Sequence, residues 1–234
     1  MKKTSRRGWL AHCSALLWMG AAVGSGAGLA TRAGAASAQA TPAARSSPLL
    51  LVVGDSLSAE YGLARGTGWV ALLTKRLADR KSPATVVNAS ISGDTTAGGR
   101  SRLAALLKLH RPSLVILELG GNDALRGLPL DTTRANLVEM AKASKAAGAK
   151  VLLVGMQVPP NYGRKYSDDF AGLFSVVAKS EGTALVPFLL AGVADGPEAE
   201  SMFQPDRIHP RAEAHPRMLE NVWASLAPML KLAT

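Results

Sequence analysis

Four short polar segments of the sequence contain the residue types that nucleophilic catalysis requires. In chain order they are Gly54-Asp55-Ser56-Leu57-Ser58, Ile91-Ser92-Gly93-Asp94, Gly120-Gly121-Asn122-Asp123 and Asp206-Arg207-Ile208-His209-Pro210. Cleavage of an ester by a serine needs a nucleophilic hydroxyl, a base, a carboxylate that orients the base, and hydrogen-bond donors for the oxyanion. The four segments together offer a candidate for each of these parts.

Ser56, His209 and Asp206 are the candidates for the nucleophile, the base and the orienting carboxylate. Ser56 follows an apolar run at a predicted sharp turn, where its hydroxyl can be exposed. His209 is the preferred base because an imidazole titrates near neutrality and can carry the serine proton to the leaving group. Asp206 comes three residues earlier in the same loop and can fix the tautomer of the imidazole. His215, in the last predicted helix, is expected at the surface.

The backbone N–H groups of Ser56 and Gly93 and the side-chain amide of Asn122 are the candidate oxyanion donors. Each candidate residue, taken singly, also has an ordinary structural interpretation, such as a strand-ending turn, a glycine with positive φ, a helix cap or a surface ion pair. It is improbable that turn chemistry alone brings these three residues, Asp206 and His209 to one sheet edge. Their joint occurrence favours catalysis.

The hydrophobic pattern predicts the elements that position these residues. Short apolar runs alternate with segments of helical period, which is typical of a parallel sheet covered by helices on both faces. The predicted strands span 49–54, 85–89, 114–119, 151–157 and 184–188, and the predicted helices span 68–80, 96–109, 132–147, 168–180 and 212–230. Right-handed crossovers bring the C-terminal ends of all the strands to one edge, where ligands bind. We expect one three-layer α/β/α domain with a five-stranded parallel sheet.

Five ordered motifs, covering about residues 49–230, resemble those of the SGNH family of GDSL-type hydrolases. They are GDSLSAEYG, VVNASISGDTTAGG, ELGGNDALRG, PPNYGRKY and DRIHP, and they are similar to the periplasmic group of multifunctional thioesterases, lysophospholipases and arylesterases. The resemblance implies a flavodoxin-like SGNH hydrolase fold, a triad of Ser56, Asp206 and His209, and Gly93 and Asn122 as oxyanion donors. The G-x-S-x-G elbow of the other large hydrolase class does not occur in the chain.

The first 40 residues predict an export signal that is removed. They combine basic residues, an apolar stretch, and small-residue cleavage sites near Ala38 and Ala40. The Ser5-Arg6-Arg7-Gly8-Trp9-Leu10 run resembles a twin-arginine signal, and a general secretory signal also fits. A retained membrane anchor is disfavoured because polar residues and glycines interrupt the apolar stretch. We therefore expect a signal peptide at 1–40, a hydrolase domain at 41–234, and a periplasmic or secreted protein.

Composition and charge disfavour several other classes of protein. Five of the 27 basic residues and none of the 17 acidic residues fall in the first 40, so the formal charge of +10 becomes +5 for the remainder. These charges are dispersed without interleaved aromatic residues, which gives no support to nucleic-acid binding. The only cysteine, Cys13, lies in the predicted signal, so the domain has no disulfide and no cysteine nucleophile. We expect a monomer with no integral membrane segment after signal cleavage.

No metal or other cofactor is expected at this site. No pair of histidines has the spacing of metal ligands, and Asp55, Asp94 and Asp123 are interpreted as turn-forming residues. The glycine-rich segment 93–99 lacks both the G-x-G-x-x-G pattern and a Walker lysine, so nucleotide binding is not indicated.

The sequence says least about the substrate, for which we expect a small acyl ester or thioester. The candidate contacts for its acyl chain are Leu57, Leu125, Val158, Pro159 and Tyr162. Ordinary loop packing explains these residues equally well. A carbohydrate O-acetyl esterase with the same triad and a catalytically silent binding module both stay open as alternatives. The sequence indicates no role for Glu60, near the nucleophile turn, or for Glu118, a carboxylate inside an apolar strand.

Overall fold

The computed structural model describes residues 47–232, which contain all of the predicted strands and helices. The predicted signal peptide at 1–40 lies outside the described residues. Within residues 47–232, no helix combines the length and the apolar character needed to cross a membrane.

Five parallel strands form one sheet. They are β1 (Leu49–Gly54), β2 (Thr85–Asn88), β3 (Leu114–Glu118), β4 (Lys150–Val154) and β5 (Ala184–Val186), in the order β2-β1-β3-β4-β5. Leu50, Leu51, Val52 and Val53 of β1 are completely buried, because helices cover both faces of the sheet. The three-layer α/β/α fold and its flavodoxin-like strand order are therefore confirmed.

Of the six α-helices in residues 47–232, five connect the strands and the last follows β5. They are α1 (Trp69–Asp79), α2 (Thr96–His110), α3 (Gly121–Leu125), α4 (Leu130–Ala146), α5 (Arg164–Glu181) and α6 (His215–Met229). Helices α1 and α6 pack against each other, and α4 packs against both α2 and α5. In α1 the residues Val70, Leu73 and Leu77 are buried at helical spacing, so an amphipathic stripe faces the sheet.

The structure differs from the predicted elements at α3, at the starts of several helices and at the ends of four strands. Helix α5 begins at Arg164, four residues before the predicted start, and α6 begins at His215, three residues after it. Helix α3 was not predicted because its five residues are too few to show a helical period. The predicted strand 151–157 ends at Val154, although Gly155 and Met156 are also buried. The apolar run therefore outlasts the strand pairing, and the same holds for 184–188, whose strand ends at Val186.

The prediction that His215 lies at the surface is wrong. Its side chain is buried at the start of α6, and its Nδ1 accepts a hydrogen bond from the backbone N–H of Trp69 at 3.0 Å. Trp69 begins α1, where a helix leaves its first N–H groups without intrahelical partners. His215 thus supplies a missing acceptor to a neighbouring helix, and its burial lowers its pKa below the usual value.

The chain order reverses at β1, which has β2 on one side and β3 on the other. Such a switch point, at the C-terminal ends of the strands, is where open α/β sheets bind ligands. Ser56 follows β1, Gly93 follows β2, and Asn122 follows β3 within α3. The topology therefore brings three of the polar segments to one edge of the sheet.

Candidate active site

Ser56 occupies a tight turn directly after β1. The side chain of Asp55 closes this turn, because its Oδ1 accepts a hydrogen bond from the N–H of Leu57 at 3.0 Å. A glycine is needed at position 54, since a Cβ there would lie 2.8 Å from Oε2 of Glu118. The turn buries Leu57 and leaves Ser56 partly exposed.

His209 is in hydrogen-bond contact with both Ser56 and Asp206. Nε2 of His209 lies 2.9 Å from Oγ of Ser56, and Nδ1 of His209 lies 2.7 Å from Oδ2 of Asp206. Both distances suit a nucleophile, a base and a carboxylate that orients the base. When Nδ1 carries its proton toward Asp206, Nε2 is free to accept the proton of the serine.

Asp206 is held in its ionised form by donors from its own loop. Its Oδ1 accepts hydrogen bonds from the N–H groups of Ile208 and His209, both at 3.0 Å. Partial burial alone would raise the pKa of Asp206, but these N–H groups and the imidazole outweigh burial and lower the pKa to about 2. The loop makes this turn through Arg207, which has a positive φ of 58°.

Gln204 ties the histidine loop to the serine loop. Its side-chain Nε2 donates to the carbonyl oxygens of Tyr61 at 3.0 Å and Pro210 at 3.1 Å, and its backbone N–H donates to the carbonyl oxygen of His209 at 2.8 Å. The ring of Tyr61 lies against the imidazole of His209, with ring centroids 4.3 Å apart. Sequence reasoning missed both residues: Gln204 lies outside the five motifs, and Tyr61 lies within GDSLSAEYG but shows no link to His209 in the sequence.

The three predicted oxyanion donors have different surroundings. Nδ2 of Asn122 donates one hydrogen bond to Oδ2 of Asp55 at 3.1 Å, and its second N–H has no acceptor within residues 47–232. Gly93 has a positive φ of 79°, which favours glycine, and its carbonyl oxygen accepts from Nη2 of Arg126 at 2.8 Å. Within residues 47–232, the N–H groups of Ser56 and Gly93 donate no hydrogen bond to a protein acceptor. Both N–H groups are therefore available to an incoming oxyanion.

Glu118, for which the sequence offered no partner, lies beneath the nucleophile turn. Its Oε2 accepts hydrogen bonds from Oγ of Ser58 at 2.7 Å and from the N–H of Asp55 at 3.3 Å. Oγ of Ser58 in turn accepts a hydrogen bond from Nε1 of Trp69 at 3.2 Å. Burial, followed by the charge of Asp55, raises the pKa of Glu118 well above its usual range.

Glu60 directs its carboxylate into the loop that precedes α1. The carboxylate accepts hydrogen bonds from the N–H of Gly66 at 3.0 and 3.1 Å and from the N–H of Gly68 at 2.8 Å. Gly68 is the N-cap residue of α1 and has no side chain of its own to serve as a cap. Glu60 therefore takes the part of a capping acceptor, which its place in the sequence did not reveal.

The candidate acyl-chain contacts differ in how far they are exposed. Leu57 is buried in the core, whereas Leu125 at the end of α3 is 37% exposed and Pro159 is exposed. Val158 is partly buried against the core. Tyr162 stacks on Tyr166 with ring centroids 6.1 Å apart, and the Tyr166 hydroxyl donates to the carbonyl oxygen of Ala124 at 3.4 Å. The start of α5 therefore lies beside α3, which carries Asn122, and Tyr162 in the loop after β4 packs on the start of α5.

The acidic residues near the site are engaged in protein contacts. Asp123, interpreted from the sequence as a turn former, is instead buried in α3. It accepts hydrogen bonds from the N–H of Thr96 at 2.8 Å and from the hydroxyl of Thr133 at 3.2 Å. Asp94 pairs with Arg102 at 2.8 Å. In the part of the chain that the structure describes, no three His, Cys, Asp or Glu side chains are grouped to hold a metal ion.

The fold and the contact of a serine, a histidine and an aspartate at the carboxyl edge of the sheet define the molecule as a hydrolase of the SGNH fold. Residues 52–217 match the GDSL-like lipase/acylhydrolase family, and the chain belongs to this family.

Two relatives and a solved structure share most of the chain. Esterase TesA of Pseudomonas aeruginosa is 56% identical over 181 residues, which cover 77% of this chain and 89% of that protein. Thioesterase 1/protease 1/lysophospholipase L1 of Escherichia coli is 40% identical over 187 residues, which cover 80% of this chain and 87% of that protein. A crystal structure of TesA, 55% identical, has a TM-score of 0.75 and is matched over 77% of this chain and 99% of its own.

Proposed function

We propose that this protein is a serine hydrolase that cleaves carboxylic esters and thioesters of acyl substrates through an acyl-enzyme on Ser56. The observation that carries the proposal is the continuous contact from Ser56 Oγ to His209 Nε2 and from His209 Nδ1 to Asp206 Oδ2. The family match supports the reaction class, and the names of the relatives support acyl esters and thioesters as substrates.

The first half of the reaction forms the acyl-enzyme. Oγ of Ser56 attacks the carbonyl carbon of the substrate while Nε2 of His209 takes the hydroxyl proton, and the carboxylate of Asp206 stabilises the imidazolium. The N–H groups of Ser56 and Gly93 and the amide of Asn122 donate to the oxyanion. The tetrahedral intermediate then collapses, and the imidazolium gives its proton to the departing alcohol or thiol.

The second half regenerates the enzyme. Water attacks the acyl carbonyl carbon, and His209 takes one proton from this water. The same donors stabilise the second oxyanion. Collapse releases the carboxylic acid, and the imidazolium returns its proton to Oγ of Ser56. Every group in this cycle belongs to the protein, the substrate or water.

Exposed apolar side chains support an acyl substrate. The large exposed apolar residues on the segments that carry the site are Tyr61, Ile91, Leu125, Leu128 and Ile208, each at least 36% exposed. Apolar surface of this kind near a catalytic group is typical of a site that binds an apolar ligand. We assign acyl-chain contact to this surface, together with Val158, Pro159 and Tyr162.

The experiment that tests the proposal is a panel of initial rates. Purified enzyme and Ser56→Ala are compared on aryl esters from acetyl to palmitoyl, long-chain acyl-CoA, a lysophospholipid and an acetylated xylan fragment. Ser92→Ala is the matched control, because Ser92 is an exposed serine beside Gly93. We expect turnover on acyl esters and thioesters that Ser56→Ala abolishes and Ser92→Ala retains, with both variants folded. Turnover restricted to the acetylated sugar, or undiminished in Ser56→Ala, would contradict the proposal.

We also propose that residues 1–40 are a signal peptide and that the mature enzyme works as a monomer outside the cytoplasm. The basic N-terminus, the apolar stretch and the small residues before position 41 support export. N-terminal sequencing of the protein recovered from the periplasm or the medium tests this proposal. A retained N-terminus at Met1 in that fraction would contradict it.

A further inference from the structure

Two buried carboxyl groups lie beneath the nucleophile, and neither takes part in the proposed proton transfers. Asp55 is 2% exposed and Glu118 is completely buried. They are linked directly, because Oε2 of Glu118 accepts a hydrogen bond from the N–H of Asp55 at 3.3 Å. Burying charged groups is costly, so a pair of acids in this position calls for a functional reason.

Glu118 is the neutral member of the pair. Burial and the charge of Asp55 raise its pKa well above the usual range. Its Oε1 is buried and has no hydrogen-bond partner among residues 47–232. An unpartnered buried oxygen costs much less on a neutral acid than on a carboxylate, which agrees with a protonated Glu118.

Asp55 is the charged member of the pair at neutral pH. Its burial raises its pKa to about 6, and the charge of Asp94 also acts to raise it. Hydrogen bonds from Leu57 and Asn122 and the charge of His209 act in the opposite direction and stabilise the carboxylate. Asp55 is therefore mostly ionised at pH 7 and above.

We propose that Asp55 is a positioning residue for the oxyanion hole. Its carboxylate accepts one N–H of the Asn122 amide at 3.1 Å and so directs the second N–H toward the oxyanion. This inference rests on the proposed function, in which Asn122 supplies an oxyanion donor. Asp55 acts through Asn122 in this proposal and has no role of its own in the proton transfers.

The number of acceptors explains why a carboxylate is required at position 55. Both oxygens are occupied by N–H donors, Oδ1 by Leu57 at 3.0 Å and Oδ2 by Asn122 at 3.1 Å. An asparagine has one acceptor oxygen, so its own NH2 group would face one of these donors. The N–H of Leu57 is fixed because it lies two residues away in the same chain. The side chain of Asn122 is therefore the group that loses its acceptor and changes its orientation.

A double-mutant cycle tests the proposal. kcat and KM for an aryl ester are measured at pH 8 for the full enzyme, Asn122→Ala, Asp55→Asn and the double variant. We expect Asn122→Ala to lower kcat by about 10²- to 10³-fold. We expect Asp55→Asn alone to lower kcat by about 10- to 100-fold with KM unchanged. In the Asn122→Ala background, Asp55→Asn lowers kcat by less than about threefold, because the group that it positions is already gone.

Asp79→Asn is the control, since it makes the same acid-to-amide change at an exposed aspartate that pairs with Lys75 in α1. We expect its kcat to be unchanged. A full loss from Asp55→Asn in the Asn122→Ala background would overturn the proposal, as would an unchanged kcat in Asp55→Asn. An unchanged kcat in Asn122→Ala, with Ser56→Ala inactive, would instead remove Asn122 from the proposed function and this inference with it.

Several ionisable groups face Asp55 and have to be considered in any measurement at varied pH. Glu118 faces it from β3, Asp94 from the loop before α2, and His209 from the loop before α6. The Arg102 guanidinium of α2 reaches the same turn, with Nη2 3.4 Å from the carbonyl oxygen of Gly54. The double-mutant cycle is therefore measured at a single pH.

A spectroscopic measurement keeps the proposal testable even if Asp55→Asn does not fold. The side-chain amide signals of Asn122 are followed by NMR from pH 8 to 4.5 in His209→Gln, which removes the imidazole. We expect these signals to shift with a midpoint at or somewhat above pH 6, because loss of the imidazole charge further raises the pKa of Asp55. Asn122 amide signals that do not change over this range would overturn the proposal.

Discussion

The side-chain amide of Gln204 donates a hydrogen bond to the carbonyl oxygen of Tyr61 over 3.0 Å, across 143 positions of the sequence. Tyr61 belongs to the loop that follows Ser56, and the backbone N–H of Gln204 donates to the carbonyl oxygen of His209. One residue therefore contacts both loops whose side chains meet in the proposed triad. We therefore expect this junction to set the distance between Ser56 Oγ and His209 Nε2.

Gln204→Glu is expected to lower kcat by about 10- to 100-fold with little change in KM, because a small displacement of the base is costly. The carboxylate that replaces the amide has no N–H to donate to Tyr61 or Pro210 and repels both carbonyl oxygens. Initial rates on an aryl ester give both constants. Gln157→Glu, at an exposed position, is the control. A wild-type kcat in Gln204→Glu would show that the junction does not position His209.

Asp206→Asn is expected to lower kcat by about 10³- to 10⁴-fold, since an amide favours the wrong tautomer of the imidazole.

The folded enzyme holds the pKa of Asp206 at about 2, below its usual value of 3.8. The contribution of this carboxylate to stability is thus complete above pH 3.8 and is lost as the pH falls through 2. Protonation of Asp206 therefore does not limit the rate between pH 5 and 9. A pH profile of kcat/KM with an acid limb that Asp206→Asn removes would contradict this assignment.

Glu60→Gln tests whether the charge of Glu60 acts on the substrate or on the loop before α1. The carboxylate accepts hydrogen bonds from the N–H groups of Gly66 and Gly68. The glutamine side chain of the variant has only one acceptor oxygen, so the free energy of unfolding should fall by about 1 kcal/mol. Because the charge is directed into the loop, KM for polyanionic acyl-CoA should change no more than KM for a neutral aryl ester. A selective fall in KM for acyl-CoA would show that Glu60 faces the substrate.

The runs of apolar residues predicted the fold, and the order of the motifs predicted that the main site residues lie close together. The first strand has the predicted bounds 49–54, because a strand buried on both faces is apolar throughout and its run of Leu and Val ends at a glycine. The order of the motifs, with the convergence of parallel strands at one edge, was enough to bring Ser56 and Asn122 together. Asp206 and His209 were predictable as a pair because they are three residues apart in one loop.

Contacts between segments that are distant in the sequence could not be predicted in the same way. His215 lies inside because Trp69, 146 positions away, needs an acceptor for its N–H. Gln204 and Glu118 likewise act through partners on other elements. Residue type and period describe a residue and its near neighbours, whereas such hydrogen bonds are set by how the elements pack.

Glu118→Gln is expected to make the protein more stable at alkaline pH and to leave the stability near pH 4.5 unchanged. Burial raises the pKa of Glu118 in the folded state, whereas in the unfolded state it stays near its usual value of 4.5. The unfolded chain alone therefore releases this proton as the pH rises above 4.5, which lowers the free energy of unfolding by up to about 1.4 kcal/mol per pH unit until the folded-state pKa is reached. A glutamine keeps an acceptor for Ser58 and does not titrate. The variant therefore does not lose this free energy of unfolding as the pH rises.

Urea unfolding at several pH values between 4.5 and 9 measures this difference between the variant and the wild-type enzyme. Glu139→Gln is the control, because Glu139 is an exposed glutamate paired with Arg100, so the same substitution there should leave the pH dependence as in wild type. The titration of Asp55 is common to both proteins and largely cancels in the comparison. A difference in unfolding free energy that stays constant with pH would mean that Glu118 is ionised in the folded enzyme. In that case the buried pair would hold two charges, and Asp55 would not be the single carboxylate beneath the nucleophile.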